Sequence, residues 1–175
     1  MTDNIELVKE SEVHQLREIS IATFKHTFRD GGYTEEDFEI YFKQAYNVET
    51  LQEELRNKHS FTYFYLSNNE IVGYFKLNID DAQTEAMGED YLEIQRIYFL
   101  PQSQGGGKGK KVFDFAIKKA RELYKKKIWL GVWEYNDKAL NFYKNQGLRI
   151  TGSHEFYTGN VVDTDLIMEK TYSSF

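Results

Sequence analysis

The sequence predicts an α/β fold in which about seven strands form one sheet of mixed direction, flanked by helices. Short apolar and aromatic runs typical of strands are interspersed with amphipathic helical segments, and the two kinds of element do not alternate strictly. The chain has 175 residues, of which 41% are hydrophobic. This length allows a well-buried core but not two ordinary domains, so residues 1–175 should form a single domain.

The first half of the chain is predicted to form a strand, three helices and a hairpin. The expected elements are a strand at residues 5–9, helices opening at Ser11 and Thr34, a helix at 49–56, and strands at 61–66 and 71–77. Ser11 and Thr34 are predicted N-caps, because a hydroxyl oxygen can accept a bond from a free N–H of the first turn. Residues 67–70 supply the turn of the hairpin.

The second half opens with a polar, acidic loop at residues 80–90. It continues with a strand at 91–100, a glycine-rich loop, a helix at 111–124, a strand at 128–133, a helix at 136–146 and two closing strands. The helix at 111–124 has one apolar face, as expected for a helix that packs on a sheet.

Charge and composition exclude several functional classes. The net charge of −6 disfavours nucleic-acid binding and mildly favours cationic partners. The absence of cysteine excludes disulfides and thiolate catalysis and suits a reducing cytoplasm. The acidic N-terminus lacks the apolar stretch of a secretory signal, and no apolar run approaches the roughly 20 residues of a membrane span. The expected location is therefore the cytoplasm, without a membrane partner.

The glycine-rich loop is the strongest local signal. Four of the five residues at 105–109 are glycine, so successive N–H groups can turn towards an anion, assisted by the N-terminus of the following helix. A P-loop is excluded because Gln104 stands where its first glycine belongs and no Ser or Thr follows Lys110. A dinucleotide fingerprint fails because Lys110 occupies the position of its third glycine. The bland alternative is a flexible connection between a strand and a helix.

Two motifs, in order and at the expected spacing, carry a family resemblance over residues 72–170. The loop fits the pattern Gln-x-x-Gly-x-Gly, and a second block reads Ile128-Trp129-Leu130-Gly131-Val132, then Asn136, Ala139, Phe142-Tyr143 and Gly147. In both motifs the chain resembles the GNAT superfamily of acetyl-CoA-dependent N-acetyltransferases. The resemblance implies a GNAT fold, with a mostly antiparallel central sheet whose central strands splay apart, and acetyl-CoA as cosubstrate.

A narrower resemblance concerns the acceptor. Residues 78–83 and 128–134 look like the corresponding segments of PaiA-type spermidine/spermine acetyltransferases of Gram-positive bacteria. His154-x-Phe156-Tyr157-x-Gly159 and residues 164–168 point the same way. This resemblance implies a polyamine acceptor.

The family resemblance also assigns the cofactor contacts. Backbone groups on the strand before the loop would pair with pantetheine, and loop amides would hold the CoA pyrophosphate; the residues concerned are Ile97, Tyr98, Phe99, Gln104, Gly105, Gly106, Gly107, Lys108, Gly109 and Lys110. The position of Gln104 is often Arg in the family. Lys108 departs from the usual aliphatic residue, so it lies on the surface or reaches a phosphate.

Tyr143 and Glu93 are the candidate catalytic residues. With Asn136 as N-cap, Ala139 and Tyr143 share a helix face, which in the family turns towards the cofactor, and all three are candidate cofactor contacts. A phenol there can protonate the departing thiolate; the alternative is a buried core tyrosine. Glu93 stands where several family members carry the base that deprotonates the acceptor ammonium. It could equally bind the cationic substrate or face solvent, with a water path removing the proton.

Carboxylates and one tryptophan are the candidate acceptor contacts. Residues 80–90 include five acids, and Asp80, Asp81 and Glu93 are expected to gather ammonium groups, with Trp133 offering a cation–π face. A solvated acidic loop is the competing interpretation. The four histidines are far apart in sequence and no cysteine joins them, so no metal site is predicted.

The sequence therefore predicts direct acetyl transfer from acetyl-CoA to a primary amine, with spermidine or spermine as the favoured acceptor. Direct transfer follows because no cysteine is available to carry an acyl group. One rival is the same reaction on a protein or peptide amine. The second is a non-catalytic acyl-CoA-binding regulator, which would not need the intact Asn136 and Tyr143. The resemblance also allows a homodimer.

Overall fold

The computed structural model describes residues 2–172, which form seven strands and five α-helices around one sheet. In chain order the elements are β1 (Asp3–Leu7), α1 (Val13–Thr27), α2 (Glu35–Ala45), α3 (Val48–Arg56), β2 (Ser60–Ser67), β3 (Glu70–Ile79), β4 (Tyr91–Phe99), α4 (Lys108–Glu122), β5 (Lys127–Trp133), α5 (Asp137–Asn145), β6 (Arg149–Thr158) and β7 (Val161–Thr171). None of the helices in this part of the chain has the length and apolar character that a membrane span requires.

The sheet has the order β1-β2-β3-β4-β5-β7-β6. Every neighbouring pair is antiparallel except β4 and β5, which are parallel. The parallel pair needs a crossover connection, and α4 supplies it. The predicted mixed, mostly antiparallel sheet with flanking helices is confirmed.

The parallel strands β4 and β5 separate halfway along their length. Residues 91–94 pair with residues 127–130, and the pairing then stops. Gln95 is an extra residue in β4, because Ile94 lies opposite Leu77 and Arg96 lies opposite Lys76. Such a bulge bends its strand and increases the local twist. We call the resulting opening between residues 95–99 of β4 and residues 131–133 of β5 the wedge.

Alternation along the strands gives the sheet two buried faces. On the face covered by α4 and α5, here the α4 face, the core includes Phe75, Leu77, Ile94, Leu130 and Phe113. On the face covered by α1, α2 and α3, here the α1 face, the core is mainly aromatic and includes Phe24, Phe38, Tyr46, Phe64 and Tyr74. Burying one such side chain contributes about 1.5–3 kcal/mol, so both faces hold the helices against the sheet.

The predicted N-cap Thr34 is confirmed, but Ser11 is not the N-cap of α1: it lies inside a 3-10 turn (Glu10–Glu12), and α1 follows at Val13 with Glu12 as its N-cap and without a side-chain capping bond.

The main boundary difference from the sequence prediction lies at α4. The helix begins at Lys108 rather than at residue 111, with Gly107 as its N-cap at a φ of 77°. The left-handed backbone of Gly107 turns the chain directly into the helix, so the glycine motif and the first helical turn overlap. At α5 the predicted N-cap is confirmed, since the Asn136 side chain accepts a bond from the Ala139 N–H.

Candidate active site

The glycine-rich loop joins β4 to α4 at the open end of the wedge. Gly105, Gly106 and Gly107 have φ values of 88°, 65° and 77°, a run of left-handed residues that side chains would disfavour. Among residues 2–172, the N–H groups of these three glycines, and those of Gly109 and Lys110, donate to no other protein group. Free amides at a helix N-terminus form a cradle for an anion, which fits a pyrophosphate.

Gly109 has a different role from the other glycines of the loop. A Cβ built on Gly109 would lie 3.3 Å from the Phe142 ring of α5. The glycine therefore lets the first turn of α4 approach α5 closely. This contact joins the two sequence motifs in space.

The three lysines around the loop differ in their pairing. Lys110 lies 2.8 Å from Asp114, and Lys111 lies 3.2 Å from Asp3. Lys108 has no carboxylate partner among the described residues, and its Nζ lies 3.5 Å from the position that a Cβ on Gly106 would occupy. Lys108 is thus the unneutralised lysine closest to the free amides of the loop, while Gln104 is exposed on the approach to it.

The backbone of β4 offers free groups to the wedge. The Leu100 N–H donates to Val72 of β3, and peptide groups alternate in direction along a strand. The backbone N–H and C=O of Tyr98 therefore point towards β3. The backbone N–H and C=O groups of Ile97 and Phe99 point the other way, into the wedge, where β5 no longer pairs with β4. This geometry suits an extended ligand that pairs with β4 like a strand.

Tyr143 lies on the α4 face, one helical turn after Ala139. It belongs to the same core as Val132 of β5, and its side chain is only 7% exposed. Burial raises the pKa of Tyr143 above that of an ordinary phenol, so the hydroxyl keeps its proton at neutral pH. No hydrogen bond to this hydroxyl is formed within residues 2–172, which leaves the proton available to a ligand.

Glu93 lies on the α1 face at the closed end of the wedge and is 2% exposed. Its carboxylate accepts bonds from Asn78 Nδ2 at 2.9 Å, from the Thr84 N–H at 2.9 Å and from the Thr84 hydroxyl. Asn78 in turn accepts from Lys76 Nζ at 2.9 Å. Burial lowers the pKa of Lys76 to about 8. Glu93 is thus one member of a buried network, and its role as a base stays a prediction.

Three consecutive residues after β3, which we call the strap (Gln83, Thr84 and Glu85), cross the α1 face near the closed end of the wedge. Each is anchored to a different strand. Gln83 Oε1 accepts from Trp129 Nε1 of β5 at 2.8 Å, and Thr84 binds Glu93 of β4. Glu85 Oε1 lies 2.6 Å from His154 Nδ1 of β6. The strap brings part of the predicted acidic loop onto the site.

His154 is a candidate site residue that sequence reasoning did not assign. Its Nε2 lies 3.5 Å from Asp165 of β7 and 3.2 Å from where a Cβ on Gly131 would stand. Asp165, together with Glu85 and against the opposing effect of burial, raises the pKa of His154 to about 9. Gly131 and His154 both belong to segments that carry the resemblance in sequence, but the sequence did not show that the two residues are in contact.

Asp80 and Asp81 have partners away from the wedge. Asp80 Oδ1 lies 2.7 Å from the buried Lys125 Nζ, and Asp81 bonds to His59 with its side chain 83% exposed. Both follow β3 next to the paired part of β4 and β5, whereas Glu93 and Trp133 flank the wedge. The structure therefore brings Glu93 and Trp133 together with the site but does not bring these two aspartates to it.

Aromatic and acidic side chains surround the α1 side of the wedge. Trp133, Asp165 and His154 lie side by side on neighbouring strands. Trp133 packs on Phe28 with ring centroids 5.5 Å apart, and its Nε1 is buried without a hydrogen-bond partner among the described residues. Tyr33 bonds to Asp163, and no group of three or more His, Asp or Glu within residues 2–172 is arranged to hold a metal.

Comparison with known proteins identifies a family and several relatives. Residues 14–148 match the acetyltransferase (GNAT) family. An uncharacterized N-acetyltransferase of Lactobacillus delbrueckii subsp. lactis is 39% identical over 163 residues, which are 93% of this chain and 94% of that protein. A spermine/spermidine N(1)-acetyltransferase of Bacillus subtilis is 28% identical over 98 residues, which are 55% of this chain and 64% of that protein.

Solved structures share the fold along nearly all of the chain. The PaiA N-acetyltransferase of Thermoplasma acidophilum, in complex with coenzyme A, has a TM-score of 0.79 at 22% identity and covers 98% of this chain and 100% of its own. A Salmonella typhimurium protein solved with its cofactor acetyl-CoA has a TM-score of 0.71 at 15% identity, with coverage of 100% and 96%. The extent of the family match and the Lactobacillus relative together show that this chain belongs to the acetyltransferase (GNAT) family and is an N-acetyltransferase.

Proposed function

We propose that this N-acetyltransferase moves the acetyl group of acetyl-CoA directly to a primary amine of a polyamine such as spermidine or spermine. The observation that carries the proposal is the acidic and aromatic surface on the α1 side of the wedge. A polyamine has several ammonium groups, and this surface carries three carboxylates, those of Glu85, Asp163 and Asp165, against the one imidazolium of His154, beside the Trp133 ring. The partial identity to the Bacillus subtilis spermine/spermidine enzyme supports the same acceptor class.

Acetyl-CoA fits the opposite side of the wedge. The free amides of the glycine-rich loop suit its pyrophosphate, with Lys108 adding a positive charge. The wedge-facing backbone groups of Ile97 and Phe99 suit the amides of pantetheine. When bound, the cosubstrate supplies an acetyl thioester, which a primary amine can attack.

Tyr143 is the proposed acid. The attacking amine expels a thiolate, and a phenol within hydrogen-bond distance can protonate the sulfur. Because the Tyr143 hydroxyl is protonated and bonded to no protein group within the described residues, it can meet the sulfur without first breaking a hydrogen bond. Transfer is direct, since the chain contains no cysteine to form an acyl-thiol.

Carboxylates are the proposed determinants of the acceptor. An ammonium between two carboxylates forms charge-assisted bonds, and a neighbouring indole face adds cation–π attraction. Losing one such bond costs about 1–2 kcal/mol, a factor of roughly 5–30 in KM. Asp80 and Asp81 stay predicted contacts for a distant ammonium group of a long acceptor, and a cytoplasmic location and a homodimer also stay predictions.

The test is release of free thiol from acetyl-CoA with spermidine, spermine, putrescine, lysine and a short basic peptide as separate acceptors. We expect turnover with the polyamines and little with the peptide. Asp163→Asn should raise KM for spermidine about 5–30-fold. The matched control is Glu122→Gln, which removes an exposed carboxylate on α4 across the sheet and should leave this KM unchanged.

The other outcomes discriminate between the rivals. Turnover of the peptide alone would show a protein amine acetyltransferase and would overturn the polyamine assignment. CoA binding without turnover of any amine would favour a regulatory acyl-CoA-binding protein. If Asp163→Asn and the control change KM for spermidine equally, the acidic surface does not bind the acceptor.

A further inference from the structure

We propose that His154 is the group that takes the proton from the acceptor ammonium, with Glu85 and Asp165 holding its imidazole at the wedge. The inference rests on the proposed function, since it assumes that a protonated amine enters from the α1 side. It assigns a second chemical group to the transfer, a base, beside the proposed acid Tyr143.

The imidazole lies where the wedge opens. The last paired residues of the parallel strands are Ile94 and Leu130, and Gly131 is the first residue of β5 beyond them. His154 Nε2 is 3.2 Å from the position of a Cβ on Gly131, so any side chain there would press on the ring. The missing side chain of Gly131 therefore lets the imidazole reach the β5 backbone at the start of the wedge.

Tyr143 and His154 lie on opposite faces of the sheet. Tyr143 packs in the core of the α4 face beside the loop that suits CoA. His154 lies on the α1 face, in the row that Trp133 and Asp165 form. A proton donor for sulfur and a proton acceptor for nitrogen are thus separated by the opening in which amine and thioester would meet.

Hydrogen bonding fixes the tautomer of the neutral ring. Nδ1 lies 2.6 Å from Glu85, and an ionised carboxylate can only accept, so Nδ1 carries the hydrogen. The lone pair of the neutral ring is therefore on Nε2, the nitrogen beside Gly131. After Nε2 gains a proton, Asp165 at 3.5 Å stabilises the imidazolium.

The charges that face the ring come from two elements. Glu85 belongs to the strap and Asp165 belongs to β7, while Gly131, the residue of β5 against the ring, carries no charge. Tyr33 and Tyr98 are near enough to Asp165 to feel its charge and are themselves uncharged at neutral pH, because burial raises the pKa of each phenol. The His154 side chain is 22% exposed, which gives its proton a route to solvent.

The pKa of the ring suits removal of a proton from a primary ammonium. A primary ammonium has a pKa of about 10, and the pKa of His154 is raised to about 9, so proton transfer between them is nearly balanced. Transfer from the same ammonium to an ordinary carboxylate, with a pKa of about 4.3, is unfavourable by nearly six orders of magnitude.

The transfer consumes one ammonium and releases one proton. Neutral His154 takes one proton from R–NH3+, and the freed lone pair forms the N–C bond with the acetyl carbon. Tyr143 protonates the sulfur as the C–S bond breaks, and the phenolate recovers a proton from the new amide nitrogen. His154 then releases its proton to solvent, so one proton leaves for each acetyl group transferred.

The experiment compares wild type, His154→Gln and His154→Ala, with His14→Gln as a control that removes an exposed histidine of α1. For wild type, kcat/KM for the amine should rise about tenfold per pH unit from pH 7 and level near pH 9. The His154 variants should lose about 10²-fold or more in kcat and lose this plateau, while acetyl-CoA binding stays unchanged. Added imidazole should restore part of the activity of His154→Ala, which a purely structural role would not allow.

A second measurement does not depend on turnover. NMR titration of the His154 ring in the CoA-bound protein should give a pKa near 9, and Glu85→Gln should lower it. In Glu85→Gln the plateau of kcat/KM should move to lower pH by the same amount. This variant also keeps the inference testable if the His154 variants do not fold.

The outcomes separate this inference from the proposed function. A His154→Gln variant with an unchanged pH profile and kcat, or an activity plateau in Glu85→Gln that does not follow the ring pKa, would overturn the inference alone. Wild-type activity on an amine other than a polyamine would overturn the acceptor, and the same variants would then be tested on that amine. Absence of turnover with every amine would overturn both.

Discussion

Replacing Tyr143 by phenylalanine separates a catalytic phenol from a structural one. The ring is almost fully buried on the α4 face, so Phe should fill the same space. The hydroxyl forms no hydrogen bond with the part of the protein that the structure describes. The substitution therefore removes a proton donor without leaving a protein partner unsatisfied.

The structure sets the expected magnitudes. Because no hydrogen bond is lost, the free energy of unfolding should change by less than about 1 kcal/mol. Loss of a general acid should lower kcat about 10²–10⁴-fold, which corresponds to about 3–5 kcal/mol in the activation barrier. KM for acetyl-CoA should remain within about a factor of two, since its proposed contacts are mainly backbone amides.

The assay combines thiol release with urea unfolding of the same preparations. Tyr124→Phe is the matched control, because Tyr124 is 83% exposed after α4 and its hydroxyl faces solvent. A wild-type kcat in the folded fraction of Tyr143→Phe would refute the role of this phenol as the acid, and a loss of more than about 2 kcal/mol in stability beside it would show a structural role. That result would make Tyr143 a core tyrosine.

Two further predictions concern charge. Lys108→Ala should weaken CoA binding several-fold at low salt and less at high salt. Lys110→Ala should have a smaller effect, because Asp114 already neutralises Lys110. Equal losses of CoA affinity in isothermal titration would contradict the role of Lys108 at the phosphates. The raised pKa of His154 stabilises the fold fully below its unfolded value of about 6.5, and this contribution is lost as pH rises through about 9. The full shift corresponds to about 3 kcal/mol, which solvent screening reduces to about 1–2 kcal/mol. The stability advantage of wild type over His154→Gln in urea should therefore shrink by about 1–2 kcal/mol from pH 6 to pH 10.

Local sequence signals were sufficient for most of the fold. The order and type of the elements follow from periodicity, and Asn136 caps α5 as its side chain predicts. The helical start at Lys108 was missed because the glycines, treated as a loop, already lead into the first turn. The glycine-rich loop and Tyr143 could be chosen as candidates from sequence because each motif consists of residues close together in the chain.

The acidic surface of the site could not be predicted in the same way. The acidic loop at residues 80–90 was identified as a whole, but its members have different partners. Asp80 pairs with Lys125, whereas Glu85 reaches His154, 69 residues further along the chain. Composition places the charges in one segment, and only packing decides which of them reaches the wedge.

The sequence by itself determined the helices, strands and turns, the anion cradle and the family resemblance, because these depend on interactions between residues near each other in the chain. The tertiary structure decided that His154, Asp165 and Trp133 lie side by side on the α1 face and that Gly131 leaves room for the imidazole. Strand register controls these contacts, since a shift of one residue would turn each side chain to the other face of the sheet. Register is fixed by the packing of the whole core, and so no local segment of the sequence contains it.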